Sequence, residues 1–297
     1  MIEINPTVDF ACKMILGNPK HPSITVHFLN SVLQFASRIV SVEIVDPIVP
    51  QEFDSDKLSI LDILAIDDVD RRLNIEVQRT KIVAIPQRLT YYAATQLVDQ
   101  IGKGDTYRQL RPSIGICILN AILFPKQPDY HQAFRLRTQR GLELTDCLEI
   151  HTLELPKYAG LNDNENLDDP LDQWVYFFRN ARGSTRELLL AKLKDPIFEE
   201  AIGVLEMISR TPDQRRFYDA RLKWELDENT RIQCALEEGK AEGKAEGKAE
   251  EKISQIRALQ GILGETISDM EGLQSMKMEA LDESIVQLQT KLRNRLS

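Results

Sequence analysis

Two acids fourteen positions apart, Asp62 and Glu76, are the residues whose placement best suits chemistry. Asp62 lies between Leu61 and Ile63 in the apolar run 58–66 (LSILDILAI). Glu76 lies between Ile75 and Val77 in the run 73–79 (LNIEVQR), followed at Gln78 by a second polar side chain. Side chains on a strand alternate faces. Glu76 and Gln78 therefore share one side, and Ile75 and Val77 point into the opposite layer. With a turn over about 67–71 the runs form a hairpin in which Asp62 stands opposite Glu76. Converging carboxylates repel, so the pair requires a cation or a shared proton. Mg²⁺ suits such a pair, because it accepts a few carboxylate oxygens and keeps several waters. Water on such an ion is more acidic, and the ion stabilises charge on a phosphate under in-line attack. The chemistry this would serve is phosphodiester hydrolysis. On the pattern alone a plainer reading stands beside it: both acids on the wet face of an antiparallel sheet.

The surrounding pattern supplies elements to hold the pair. Helical spacing predicts helices over 6–16 and 22–35, and alternation predicts a strand over 39–45. The strands 58–66 and 73–79 flank the acidic segment DDVDRR, whose Asp67, Asp68 and Asp70 are expected to be solvated. A helix is predicted over 86–101, with Pro86 at its first position and Gly102 and Gly104 ending it. The unbroken apolar run 113–119 predicts a buried strand, and further strands are expected over 133–138 and 147–155. The order is that of an α/β layer around a mixed sheet. Residues 170–236 are helical in pattern, with Trp174, Phe177, Phe178, Leu188–Leu190, Phe198, Leu205, Phe217 and Trp224 as packing residues. The repeat GKAEGKAEGKAE at 239–250 places like charges at i, i+4 and a costly glycine in each unit, so a weak solvated helix or a connector is expected. Residues 253–263 and 270–296 resume an amphipathic pattern that would close back on the body or self-associate.

Several blocks resemble the Rpn-type PD-(D/E)XK nuclease family, also labelled recombination-promoting nucleases or transposases. They are Pro6-Thr7-x-Asp9-Phe10-x-x-Lys13, Leu61-Asp62-Ile63, Asn74-Ile75-Glu76-Val77-Gln78, Arg88-x-x-Tyr91-Tyr92 and Gln100-x-x-x-Gly104-x-x-Tyr107. The resemblance runs from about residue 3 to 155, and the GKAE repeats are similar to tails in the family. It implies a restriction-endonuclease-like α/β core, a mixed β-sheet flanked by helices, with a helical C-terminal extension. It also implies Mg²⁺- or Mn²⁺-dependent DNA cleavage in recombination or mobile elements. Asp62 and Glu76 would be metal ligands, helped by the Val77 carbonyl, and Asp9 would add an acid. Gln78 stands where the superfamily has a lysine; it can orient a water but brings no charge. Lys13 or Arg88 would compensate. Arg72, Arg88 and one of the two tyrosines, Tyr91, would touch the DNA backbone, while the other tyrosine packs in the core. Gln100 reads as a structural hydrogen-bonding residue.

The bulk properties bound these expectations. The net charge of −9 opposes nucleic-acid binding mildly. Residues 71–111 nevertheless hold eight Lys/Arg against three acids, a local basic surface beside the acidic hairpin. The four cysteines form no CxxC pair, so structural zinc is not expected, and buried thiols are. The four histidines are scattered, which gives a His-based triad or zinc protease little support. No apolar run reaches the roughly 18 residues of a membrane span, and the N-terminus MIEINPTVDF lacks a secretory pattern, so a cytoplasmic protein is expected. The expected divisions are 1–156 nuclease-like, 157–236 helical extension, 237–252 repeat linker and 253–297 amphipathic tail. A homodimer through the C-terminal helices is compatible with that tail. The rival function is a catalytically inactive nuclease fold that binds DNA or serves as an oligomeric interaction module.

Overall fold

The computed structural model describes residues 1–45, 63–79, 84–158 and 167–296. Asp62, the first half of the run 58–66 and Lys81 lie outside the described residues. Helix α1 (Asp9–Leu16) opens on an acid, which suits the positive end of the helix dipole. The Thr25 hydroxyl, from α2 (Pro22–Leu33), donates to the Leu16 carbonyl at 2.5 Å and so satisfies a last-turn acceptor. Gly17 follows α1 at a close approach. A Cβ there would lie 3.0 Å from the Lys13 carbonyl oxygen and 3.1 Å from Ile63 Cγ1. Glycine thus seats the end of α1 against the start of the second strand.

The strands among the described residues are β1 (Val42–Ile44), β2 (Ile63–Asp67), β3 (Arg72–Gln78), β4 (Ser113–Leu119), β5 (His131–Arg135) and β6 (Leu148–Glu154). They form a six-stranded sheet in the order β1-β2-β3-β4-β6-β5. β3, β4 and β6 run parallel, and β1, β2 and β5 pair antiparallel with their neighbours. The β2–β3 hairpin pairs Ile63 with Ile75, Leu64 with Asn74 and Ala65 with Leu73. Strand β4, predicted over 113–119, has those bounds and is buried throughout, as a parallel strand covered on both faces should be.

The turn of the hairpin differs from expectation at one residue. Asp67 is buried, not solvated. Its carboxylate accepts from the Val69 amide at 3.1 Å, the Arg71 amide at 2.9 Å and the Arg71 guanidinium. A carboxylate that ties three donors of its own turn holds that turn closed, and Asp70 takes the left-handed backbone (φ 65°) this closure needs. Asp68 remains exposed and accepts from the Val40 amide at 2.9 Å, joining the turn to the segment before β1.

Helix α3 (Ile85–Val98) lies on one sheet face, with Pro86 in its first turn. Ile85 and Leu89 pack there on Cys117 and Leu119. Beyond α3, Gln100 exchanges two hydrogen bonds with the Arg111 backbone, at 3.0 and 2.8 Å, which closes the loop leading to β4. The other face carries Ile63, Leu73, Ile75, Ile114, Ile116, Ile118 and Leu153 into the main core. That core also takes α4 (Pro170–Asn180), α5 (Arg186–Lys192), α6 (Ile197–Arg210) and the first turns of α7 (Pro212–Leu263). Trp174, Phe177, Phe178, Phe198 and Leu205 are buried as expected, whereas Leu188 and Trp224 are exposed.

Residues Met1–Glu225 form one compact unit and Leu226–Ser297 a second. In the second, the rest of α7 packs Ile253, Ile256 and Leu263 with Leu273 of α8 (Met270–Gln274) and Leu281, Ile285 and Leu288 of α9 (Met278–Leu296). The GKAE repeat lies within α7 and is exposed along almost all its length, a solvated helix. No helix among the described residues is long and apolar enough to cross a membrane. Cys12 and Cys117 are buried, Cys147 is half-buried and Cys234 is exposed.

The histidines are less scattered in space than in sequence. His131 Nε2 meets His151 Nδ1 at 2.9 Å across β5 and β6, and His151 Nε2 meets Glu149 at 2.8 Å. Burial, with the neighbouring His151 and Arg135, holds His131 down at about 4. Its unfolded value is near 6.5, so the neutral ring stabilises the fold fully above about pH 6.5 and that stability is lost as pH falls towards 4. Urea midpoints measured from pH 7 to 4 should therefore fall, and His131→Gln should flatten the part of the slope that lies in that window.

Candidate active site

Glu76 is the centre of the candidate site. It stands on β3, 4% exposed, one position beyond the last described pair of the hairpin, Ile63 with Ile75. Parity works as the sequence required. Leu73 and Ile75 enter the main core, while Glu76 lies beside Cys117 on the face that α3 covers. The Arg88 guanidinium reaches down from α3 and forms an ion pair with Glu76 Oε1. The same guanidinium sits 5.5 Å from the centroid of the Tyr92 ring, a cation–π contact. Among the described residues Glu76 Oε2 has no hydrogen-bond partner, and neither has Asn74 Oδ1, two residues back on the same face, nor Arg88 Nε.

Burying a carboxylate costs several kcal/mol unless it is paired and hydrogen-bonded. Here one oxygen is paired and the other is left. A hard cation is a natural partner for a lone carboxylate oxygen, so the donor chemistry of Glu76 fits a divalent ion. Among the described residues no group of three or more His, Cys, Asp or Glu gathers to hold a metal. The expected second ligand, Asp62, is outside them.

The other sequence-nominated residues divide into two groups. Lys13 is buried on α1, whose last turn abuts Ile63 through Gly17. Val77 and Gln78 continue β3 and are half-buried, pairing along the strand with Ile118 and Leu119. Asp9 is instead drawn to α7. Its Oδ2 pairs with Arg221 and its Oδ1 accepts from the Phe10 amide at 2.6 Å. Tyr91 is 67% exposed, and Tyr92 is half-buried under Arg88, so neither tyrosine is a core residue. Arg72 is half-buried at the start of β3, at the far end of the strand from Gln78.

The basic stretch 71–111 is partly spent inside the protein. Arg71 pairs with Asp67, Arg79 with Glu225 and Arg88 with Glu76. Lys103, Arg108 and Arg111 are exposed.

Two residues of the site's frame, Arg221 and Glu225, escaped sequence reasoning. They lie four apart on α7, hence on one helical face. Arg221 is 6% exposed, binds Asp9 and stacks 4.3 Å from the Trp224 ring centroid. Glu225 accepts from Arg79, the residue after Gln78, at 2.6 Å, and from the Asp9 amide at 3.4 Å. The four charges tie α1, the end of β3 and α7 together. Burial pushes both carboxyls up, Asp9 against the pull of Arg221, and Glu225 with the added repulsion of Asp9. Only the helical i, i+4 spacing of an arginine and a glutamate was visible beforehand, and such pairs are common on solvated helices.

An α/β sheet whose central strand carries a buried acid, its hairpin partner antiparallel and its other neighbour parallel, is the framework of a PD-(D/E)XK-type protein. The family model described as PD-(D/E)XK nuclease family transposase matches residues 6–235, and the chain belongs to that family. No curated protein and no solved structure matches the chain.

Removing one partner of a buried ion pair leaves the other charge uncompensated, at about 3–5 kcal/mol. Asp9→Ala and Arg221→Met should each lower unfolding free energy in urea by roughly that amount. The double variant should lose clearly less than the sum of the two. Additive losses would show that the pair is not coupled.

Proposed function

We propose that the chain is a Mg²⁺- or Mn²⁺-dependent DNA endonuclease of recombination or mobile-element movement. The observation that carries this reading is the Glu76 carboxylate: buried on the central strand, held at one oxygen by Arg88, with the other oxygen unpartnered among the described residues. Membership of a nuclease-family transposase group supports a nuclease- or transposase-related role.

In this proposal Asp62 and Glu76 hold the cation, with the Val77 carbonyl as a further oxygen. What supports the part of Asp62 is the register Ile63 with Ile75, which is the one the hairpin needs if positions 62 and 76 are to face each other. The ion, when bound, supplies a more acidic water and charge stabilisation at the phosphate. Gln78 orients the water through its amide, and the ammonium of Lys13 contributes positive charge from α1. Asp9, already engaged by Arg221, fixes the orientation of α1 and so of Lys13 rather than lending its carboxylate to the ion. Arg72, Tyr91 and the exposed Lys103, Arg108 and Arg111 are proposed contacts to the phosphate backbone, which makes binding weaken with salt. The second compact unit is proposed as the self-association element.

The glutamine at position 78 favours a second reading, in which the fold binds DNA without cutting it. Plasmid nicking and linearisation with Mg²⁺ or Mn²⁺ separates the two. The nuclease reading predicts cleavage by the wild type and a loss of at least about 100-fold in Asp62→Ala and in Glu76→Gln, a variant that keeps the side chain's shape beside Arg88. Salt-dependent DNA binding without any metal-dependent cleavage would establish the second reading.

A further inference from the structure

We infer that Arg88 is a charged catalytic residue of this site, donating to a non-bridging oxygen of the scissile phosphate and adding, beside Lys13, positive charge that Gln78 cannot supply. This rests on the nuclease reading above and gives Arg88, expected from the sequence to touch the DNA backbone, a specific place in it.

Two buried atoms of opposite polarity lack partners among the described residues. Glu76 Oε2 is a buried acceptor with no donor among the described residues, and Arg88 Nε is a buried donor with no acceptor among them. They belong to the two partners of one ion pair. A buried polar group without a partner costs roughly 1–3 kcal/mol, so an ion pair that keeps one such atom on each partner is suited to a ligand that satisfies both. A cation alone would serve Oε2 and repel the guanidinium. An anion alone would serve Nε and repel the carboxylate. A phosphodiester bound together with a divalent cation serves both, the cation at Oε2 and a phosphoryl oxygen at Nε. Asn74 Oδ1, a second acceptor without a partner among the described residues and on the same face, suits a water as donor.

Arg88 is also set for this contact by its supports. Tyr92, one helical turn on, lies under the guanidinium and limits its orientation. Glu76 holds it from the sheet side. A guanidinium stays charged at any working pH, and its planar fork can keep Glu76 while presenting a further N–H to phosphate. In the step itself the water oxygen bonds to phosphorus as one bridging P–O bond breaks. The water's proton passes to solvent and the leaving oxygen is protonated from solvent. Arg88 keeps its proton and offsets charge on the non-bridging oxygen.

The test uses the full chain in three forms: wild type, Arg88→Met and Arg88→Lys. Mn²⁺ binding is measured by titration calorimetry without DNA, and cleavage of a short duplex is followed under single-turnover conditions. Methylguanidinium is added to the cleavage reaction as a rescue probe. Arg88→Met is expected to cut at least about 100-fold slower, to bind Mn²⁺ as tightly as wild type or more so, and to regain part of its rate with methylguanidinium. Arg88→Lys, which keeps the charge without the fork, is expected to fold and to fall between the other two. Cleavage by Arg88→Met within threefold of wild type overturns the assignment while leaving the nuclease reading intact. Loss of Mn²⁺ binding in both variants also overturns it, since Arg88 then serves only to hold Glu76. If Arg88→Met does not fold, Arg88→Lys decides: a wild-type rate shows that the fork is not needed and overturns the assignment. A wild-type chain that binds duplex and Mn²⁺ but cuts nothing overturns the nuclease reading, and this assignment falls with it.

Discussion

A carboxylate buried in a sheet must be neutralised, and the architecture around Glu76 follows from that requirement. The cost of desolvating the ion is several kcal/mol, so a cation must come to it from a neighbouring layer. Arg88 does so, and it can reach Glu76 only because α3 lies on the face of the sheet that Glu76 occupies. The helix finds that seat through Ile85 and Leu89 against Cys117 and Leu119, and through the Ser113 hydroxyl, which donates to the Ala93 carbonyl at 2.8 Å. The main core is built on the opposite face, from Ile63, Leu73, Ile75, Ile114, Ile116, Ile118 and Leu153.

The end of the same strand is braced a second time. Arg79 leaves β3 one residue after Gln78 and is caught by Glu225, while Arg221, one helical turn away, catches Asp9 at the head of α1. Buried ion pairs contribute little net stability over apolar packing, but they are intolerant of displacement. Their value here is geometric: the helix bearing Lys13 and the strand bearing Glu76 and Gln78 are referred to one helix face. The elements that position the proposed chemistry are thus joined by directional contacts rather than by apolar packing alone.

Much of this was legible from the amino-acid pattern, and the reasons are local. Alternation around Ile75–Glu76–Val77 placed Glu76 on the correct face, because a strand's parity needs no knowledge of its neighbours. The uninterrupted run 113–119 marked a strand covered on both sides. Pro86 located the start of α3 to within one position. What escaped was non-local. Arg221 and Glu225 lie more than two hundred residues from Asp9 along the chain, and no periodicity reports a contact of that range. Asp67 read as a solvated turn acid because acid-rich turns usually are; its burial follows from capping donors on Val69 and Arg71, a detail of turn geometry. Trp224 read as core by its type, yet it stacks on Arg221 with its outer side in solvent. The GKAE repeat had two open readings, and continuity with α7 selected the helical one.

In the proposed site, Glu76 Oε2 and Asp62 share one divalent cation beside Arg88. Anomalous scattering from a crystal of the full chain soaked in Mn²⁺ addresses it without reference to catalysis. The account predicts a single strong peak at coordination distance, about 2.0–2.6 Å for hard divalent cations, from both Glu76 Oε2 and a carboxylate oxygen at position 62. A well-ordered site with no such peak, and with both oxygens of Glu76 taken up by protein donors, would contradict it.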